Sequence, residues 1–120
     1  MDKLLPEVLS VQRSELGDGA VILQLHILSD IAHFSGHFPG LPVLPGVVQI
    51  DWAARLARVH LSVTGEFCLM ENIKFQTLVL PDMRLALALK WTDSDKRLDF
   101  AFSNSERKYS SGRIVFGACR

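Results

Sequence analysis

One hundred and twenty residues with 48% hydrophobic content fit one domain, residues 1–120, with a sizeable core. Thirteen basic residues balance thirteen acidic ones, which argues against nucleic-acid binding, because such proteins carry a basic excess. No apolar run reaches the ~18 residues of a membrane span and the first residues lack the apolar stretch of a signal peptide, so a cytoplasmic chain with neither membrane nor nucleic-acid partner is expected.

Residues 8–13 fit a short strand. Leu16, Gly17, Asp18 and Gly19 make a hairpin turn, since Gly and Asp tolerate positive φ. Val21, Leu23, Leu25 and Ile27 then alternate with Ile22, Gln24 and His26, as in a half-buried strand. Residues 29–46 read as loop, with one helical turn possible over 30–34. The segment 47–63 holds no Gly or Pro and is the one long-helix candidate. Pro45 precedes it and Gly65 follows it, the usual asymmetry of a helix. Its first half is apolar nearly all round, which predicts a buried helix.

After Gly65 the pattern turns to strands. Phe67, Leu69, Ile73 and Phe75 are expected on one face. Pro81 and Asp82 turn the chain, and Leu85, Leu87, Leu89 and Trp91 alternate with Arg84, Ala86, Ala88 and Lys90. Asp93, Ser94 and Asp95 turn it again before Leu98, Phe100 and Phe102. A turn at Ser103, Asn104 and Ser105 leads to a last strand over 108–116. Short connections favour antiparallel neighbours. One helix among six strands requires the sheet to curl around it, an α+β arrangement. Cys68 and Cys119 form no Cys-x-x-Cys pair and are read as a packed thiol and a tail thiol.

The chemistry-bearing stretch runs from His37 to Asp51. A histidine sits at the mouth of a loop stiffened by Pro39, Pro42 and Pro45, and a carboxylate sits within an apolar helix. Histidine suits a general base, because its reference pKa of about 6.5 lies near working pH. Asp51 suits a general acid where apolar neighbours disfavour its charge. The plain alternative is an ion pair with Arg55, one turn further along the helix. Gly46, at the helix start, offers unpaired backbone N–H groups and a positive dipole end to a developing negative charge. His33 and His37 are four apart, but no second motif supports a metal site, so no metal is expected. His26 and His60 read as ordinary strand and helix-end residues. Lys96, Arg97, Arg107 and Lys108 read as solvated turn charges, with a docking patch for an acidic partner as the alternative.

The motif Gly36-His37-Phe38-Pro39-Gly40-Leu41-Pro42-Val43-Leu44-Pro45-Gly46-Val47, followed by Asp51, resembles the hotdog-fold 3-hydroxyacyl-[acyl-carrier-protein] dehydratases of fatty acid synthesis. The run from Ile73 to Asp82, with its Lys74-Phe75 pair ahead of Pro81, resembles a second stretch of that family. The family's long-chain branch usually carries Glu where this chain has Asp51, and often Gln where it has Arg55. The short length and the wording around Asp51 are more similar to the small stand-alone dehydratases of aryl-polyene-type pathways.

The resemblance implies a hotdog fold, a curled antiparallel sheet wrapped around one long central helix, and a homodimer with the active site at the interface. It implies dehydration of (3R)-3-hydroxyacyl thioesters on acyl carrier protein to trans-2-enoyl thioesters, without a cofactor. His37 would be the base, Asp51 of the other copy the acid, and the Gly46 N–H the carbonyl donor. Phe38, Leu41, Val47, Ile50 and Trp52 would line a tunnel for an acyl chain on its phosphopantetheine arm. The rivals are an acyl thioesterase on the same fold, whose helix carboxylate activates water, and a non-catalytic acyl-binding module in which Arg55 holds Asp51.

Overall fold

Among the described residues two strands, one α-helix and four further strands follow one another in the order expected. In this computed structural model, which describes residues 4–29 and 43–118, the elements are β1 (Glu7–Arg13), β2 (Ala20–His26), α1 (Gly46–His60), β3 (Glu66–Phe75), β4 (Arg84–Thr92), β5 (Arg97–Ser103) and β6 (Lys108–Gly117). The strands form one sheet in the order β1-β2-β4-β5-β6-β3, antiparallel at every pairing. The expected helical turn over 30–34 lies outside the described residues, as do His33, His37, Phe38, Leu41 and Cys119.

The alternation in β2, β4 and β5 delivers the core. Leu23, Leu25, Leu85, Leu87, Leu98 and Phe102 are buried on the face that meets α1. From the helix, Ile50, Trp52, Ala53, Leu56 and Ala57 pack into the same core. Ala53 and Ala57 are completely covered, and their small side chains allow the helix axis to lie close to the sheet. Each large aliphatic side chain so buried contributes roughly 1.5–3 kcal/mol before chain entropy is counted.

Five expectations are corrected. The helix ends at His60 rather than at residue 63. Leu61 is extended at φ −128°, and it and Val63 pack partly buried against the core; continued helix would carry these side chains away from it. Arg13 closes the end by donating to the His60 carbonyl. The helix is also not apolar all round, because Val47 and Val59 face outward while Gln49 is buried.

In β3 the register shifts between Phe67 and Leu69 and again between Glu71 and Lys74. Each extra residue moves the side chains that follow to the opposite face. Met70, paired with buried Ile114, therefore joins Phe67 on the helix side, and Leu69 leaves it. Sequential strand pairing also fails at this point, since β3 pairs with β6 and β4 with β2. Residues 76–83 cross the end of the sheet to make that connection. Gln76 and Thr77 donate to the Tyr109 carbonyl at 2.9 and 3.3 Å, Asp82 N–H donates to the Ile27 carbonyl at 2.6 Å, and Ile27 N–H donates to the Met83 carbonyl at 2.8 Å. Three strand spacings are about 15 Å, well within the ~26 Å reach of eight residues. The last correction concerns Cys68, which is disulfide-bonded rather than a packed thiol.

The charged turn after β4 is locally neutralised. Lys96 donates to Thr64 at 2.9 Å and to Asp93 at 3.3 Å. With the Trp91 indole N–H, it holds the Asp93 carboxyl below the usual carboxylate range. Arg97 pairs with Asp95 and Asp99. These two cations therefore belong to the turn rather than to a docking patch, whereas Arg107 and Lys108 are exposed.

The β1–β2 turn needs glycine at one place above all. Gly19 has φ +76°, and a Cβ there would lie 2.5 Å from the Trp91 carbonyl oxygen, against which Gly19 packs as acceptor of the Trp91 N–H at 3.0 Å. Gly17 has φ +65° and open space around it. Gly17→Ala is expected to cost about 1 kcal/mol, the left-handed penalty alone. Gly19→Ala is expected to cost more, about 3 kcal/mol, because the clash is with backbone. Urea unfolding of the two variants against the parent checks the order.

Candidate active site

The loop before α1, the start of α1 and the crossing segment after β3 meet around one cavity of about 470 Å³. Its walls are Val43, Leu44, Pro45, Gly46, Val47, Gln49, Phe75, Thr77 and Leu78, mostly apolar. Leu44 N–H donates to the Val79 carbonyl at 2.9 Å, which joins loop to crossing segment. Pro45 is the N-cap, extended at ψ 146° and without a side-chain cap. Its carbonyl accepts from Val48 and Gln49 at 3.1 and 3.3 Å. The N–H groups of Gly46 and Val47 have no acceptor within the helix, and both residues line the cavity.

Gly46 is where a side chain is excluded. A Cβ on it would fall 2.5 Å from the tip of the Phe75 ring, so the ring lies directly over the helix start. Beneath it Gln49 and Ser110 form a buried polar pair, 4% and 1% exposed. Ser110 Oγ donates to Gln49 Oε1 at 2.6 Å, and Gln49 Nε2 donates to the Leu44 carbonyl at 3.3 Å. Thr77 Oγ donates to the Lys108 carbonyl at 3.0 Å.

Asp51 lies one turn beyond Val47 on the exposed stripe of α1. Its side chain is half exposed, and Arg55 Nε donates to Asp51 Oδ2 at 2.7 Å. The desolvation expected from its apolar neighbours is therefore not supplied within one chain, and the ion pair with Arg55 forms. A small pocket of about 90 Å³ between Leu4, Leu5, Asp51 and Arg55 marks where the N-terminal segment lies beside this pair. Trp52 Nε1 holds that segment by donating to the Leu4 carbonyl at 2.9 Å.

Of the residues singled out from sequence, Gly46 and Val47 line the cavity and Asp51 lies near it on the outer stripe. Ile50 and Trp52 are buried in the core and do not line it, because their helix positions turn them toward the sheet and the N-terminal segment. His37, Phe38 and Leu41 lie outside the described residues. The sequence reading passed over Gln49, Thr77 and Leu78. Gln49 carried a signal, a lone amide in an apolar half-helix. Thr77 and Leu78 stood only inside the Ile73–Asp82 resemblance, with no role of their own, since only the crossing of residues 76–83 brings them here. Among the described residues no cluster of His, Cys, Asp or Glu is arranged to hold a metal, and no helix is long and apolar enough to cross a membrane.

Comparisons with known proteins agree with this geometry. The structure superimposes on a chain of the dehydratase heterocomplex ApeI:P from Xenorhabdus doucetiae with a TM-score of 0.86 at 29% identity, covering 95% of this chain and 99% of that one. An uncharacterised protein from Erwinia carotovora subsp. atroseptica gives 0.84 at 36% identity, covering 96% and 98%. The expected hotdog fold is thereby established. A curated 3-hydroxyacyl-[acyl-carrier-protein] dehydratase, FabZ of Erythrobacter litoralis, is 36% identical over 74 residues, 54% of this chain and 49% of the relative. The chain thus spans about half the length of the curated dehydratases it matches. The family profile described as ApeI-like, ApeI dehydratase, matches residues 12–113, and the chain belongs to that family.

Proposed function

We propose that the chain removes water from (3R)-3-hydroxyacyl thioesters carried on an acyl carrier protein, giving trans-2-enoyl thioesters in fatty-acid or polyene-type biosynthesis. The observation that carries this reading is the uncapped start of α1 at Gly46, opening on an apolar cavity large enough for an acyl chain. In the reaction, His37 takes the proton beside the thioester carbonyl. The electron pair moves to the carbonyl oxygen, which the Gly46 N–H and the positive end of α1 stabilise. The pair then returns to form the C2–C3 double bond, and the C3 hydroxyl leaves with a proton from Asp51 as water. Val47 and Phe75, with Phe38 and Leu41 of the preceding loop, would guide the acyl chain on its phosphopantetheine arm. A cytoplasmic location belongs to this reading alone.

The acid comes from a second copy in this reading. Asp51 does not line the cavity of its own chain and faces outward. Among the described residues the edge strand β3 has one neighbour, β6, which leaves its other edge as a surface for a second copy in this reading. Beside it stand Val47, Phe67, Met70, Phe75 and Leu78, all exposed, an apolar surface that supports burial against a partner. A homodimer with two equivalent sites follows. The Xenorhabdus doucetiae relative is a heterocomplex, so a related chain is the alternative partner. One observation favours a different reading: the 2.7 Å Arg55–Asp51 pair suits an acyl-binding module in which Asp51 is held as an ion.

Hydration of a crotonyl thioester is the test. His37→Ala and Asp51→Asn are each expected to lower kcat by about 10²–10⁴-fold. Binding of acyl thioesters without turnover by the parent would instead support the binding module, and release of free thiol a thioesterase. For the assembly, sedimentation should give a dimer, and Met70→Glu, which places a charge in the apolar surface, should shift it to monomer with loss of activity.

A further inference from the structure

We propose that Gln49, anchored by Ser110, is a positioning residue that fixes the direction of the Gly46 N–H, a role that rests on the dehydratase reading above. Ser110 Oγ donates to Gln49 Oε1 at 2.6 Å, Gln49 Nε2 donates to the Leu44 carbonyl at 3.3 Å, and Leu44 N–H donates to the Val79 carbonyl at 2.9 Å. This relay runs from β6 through α1 and the loop to the crossing segment. It holds both peptide groups of Leu44, one by its N–H and one by its C=O.

Little freedom is then left between Leu44 and the Gly46 N–H. The Pro45 ring locks φ, here −60°. Its ψ of 146° is set from the other side, because the Pro45 carbonyl accepts from Val48 and Gln49 N–H at 3.1 and 3.3 Å. In a planar trans peptide the Gly46 N–H points opposite to that carbonyl. With the carbonyl turned into the helix, the N–H is turned away from it, toward the cavity that Gly46 lines. Gln49 thus serves the carbonyl donor twice, through its side chain on Leu44 and its own N–H on Pro45.

Two buried polar side chains are costly to keep where apolar ones of similar size fit, and neither Gln49 nor Ser110 belongs to the acid–base pair. A purely structural role and a positioning role predict different outcomes when both partners are removed together. Gln49→Leu/Ser110→Ala removes both polar side chains together and takes a donor only from the Leu44 carbonyl, so its melting temperature is expected to fall by no more than a few degrees. Its kcat for crotonyl thioester hydration is expected to fall about 10- to 100-fold, with KM little changed, because the carbonyl donor shifts while the acyl-binding walls do not.

Gln49→Met is the second variant. It keeps the length and most of the volume of the side chain and deletes the donor to Leu44, so the same fall in kcat is expected. A folded double variant, or a folded Gln49→Met variant, with the parent's kcat overturns the inference while leaving the dehydratase reading intact. A parent that hydrates no enoyl thioester removes that reading, and the inference with it.

Discussion

The backbone bond from Leu44 to Val79 is the constraint on which the site depends. It ties the loop that launches α1 to the segment that crosses the end of the sheet. Val79 is fully buried, so the bond forms away from competing water and holds the two segments at a fixed distance. Every wall of the 470 Å³ cavity belongs to one of these segments, to β3, or to the first turn of α1.

The depth of the helix does the rest. Because Ala53 and Ala57 allow close approach to the sheet, α1 is held along its middle by the core and left unfinished at both ends. At the C-terminal end Arg13 donates to the His60 carbonyl, while Arg58 reaches past the helix to the Gly65 carbonyl at 2.7 Å. At the N-terminal end a proline supplies no side-chain cap, and the free N–H groups face a cavity with no charged residue in its lining. In such surroundings a backbone donor is worth more toward a developing oxyanion than it is in water.

The edge strand shows why one chain is half of the proposed site. The bulges in β3 bring Met70 to the helix side beside Phe67, yet both remain about half exposed. An isolated chain would leave this apolar surface in water, which is unfavourable and invites association. The outward stripe of α1, with Val47 and Asp51, gives the same indication from the helix.

The strand alternation, the Pro45 start and the apolar half-helix were legible in the chain because each is a local pattern with a fixed period. The His37–Asp51 motif was legible for the same reason, as a spacing within one stretch. The end of α1 was not, because residues 61–63 have no local stop signal and became extended to bury Leu61 and Val63. Nor were the β3 bulges, which depend on register with β6, or the Gln49–Ser110 bond, which joins residues 61 positions apart. The sequence by itself determined which segments are strand and helix and which side chains offer acid–base chemistry. Tertiary structure alone decided that Thr77, Phe75 and Gly46 share a cavity and that Asp51 faces outward, since both follow from a strand crossing to the far edge and no local pattern encodes that crossing.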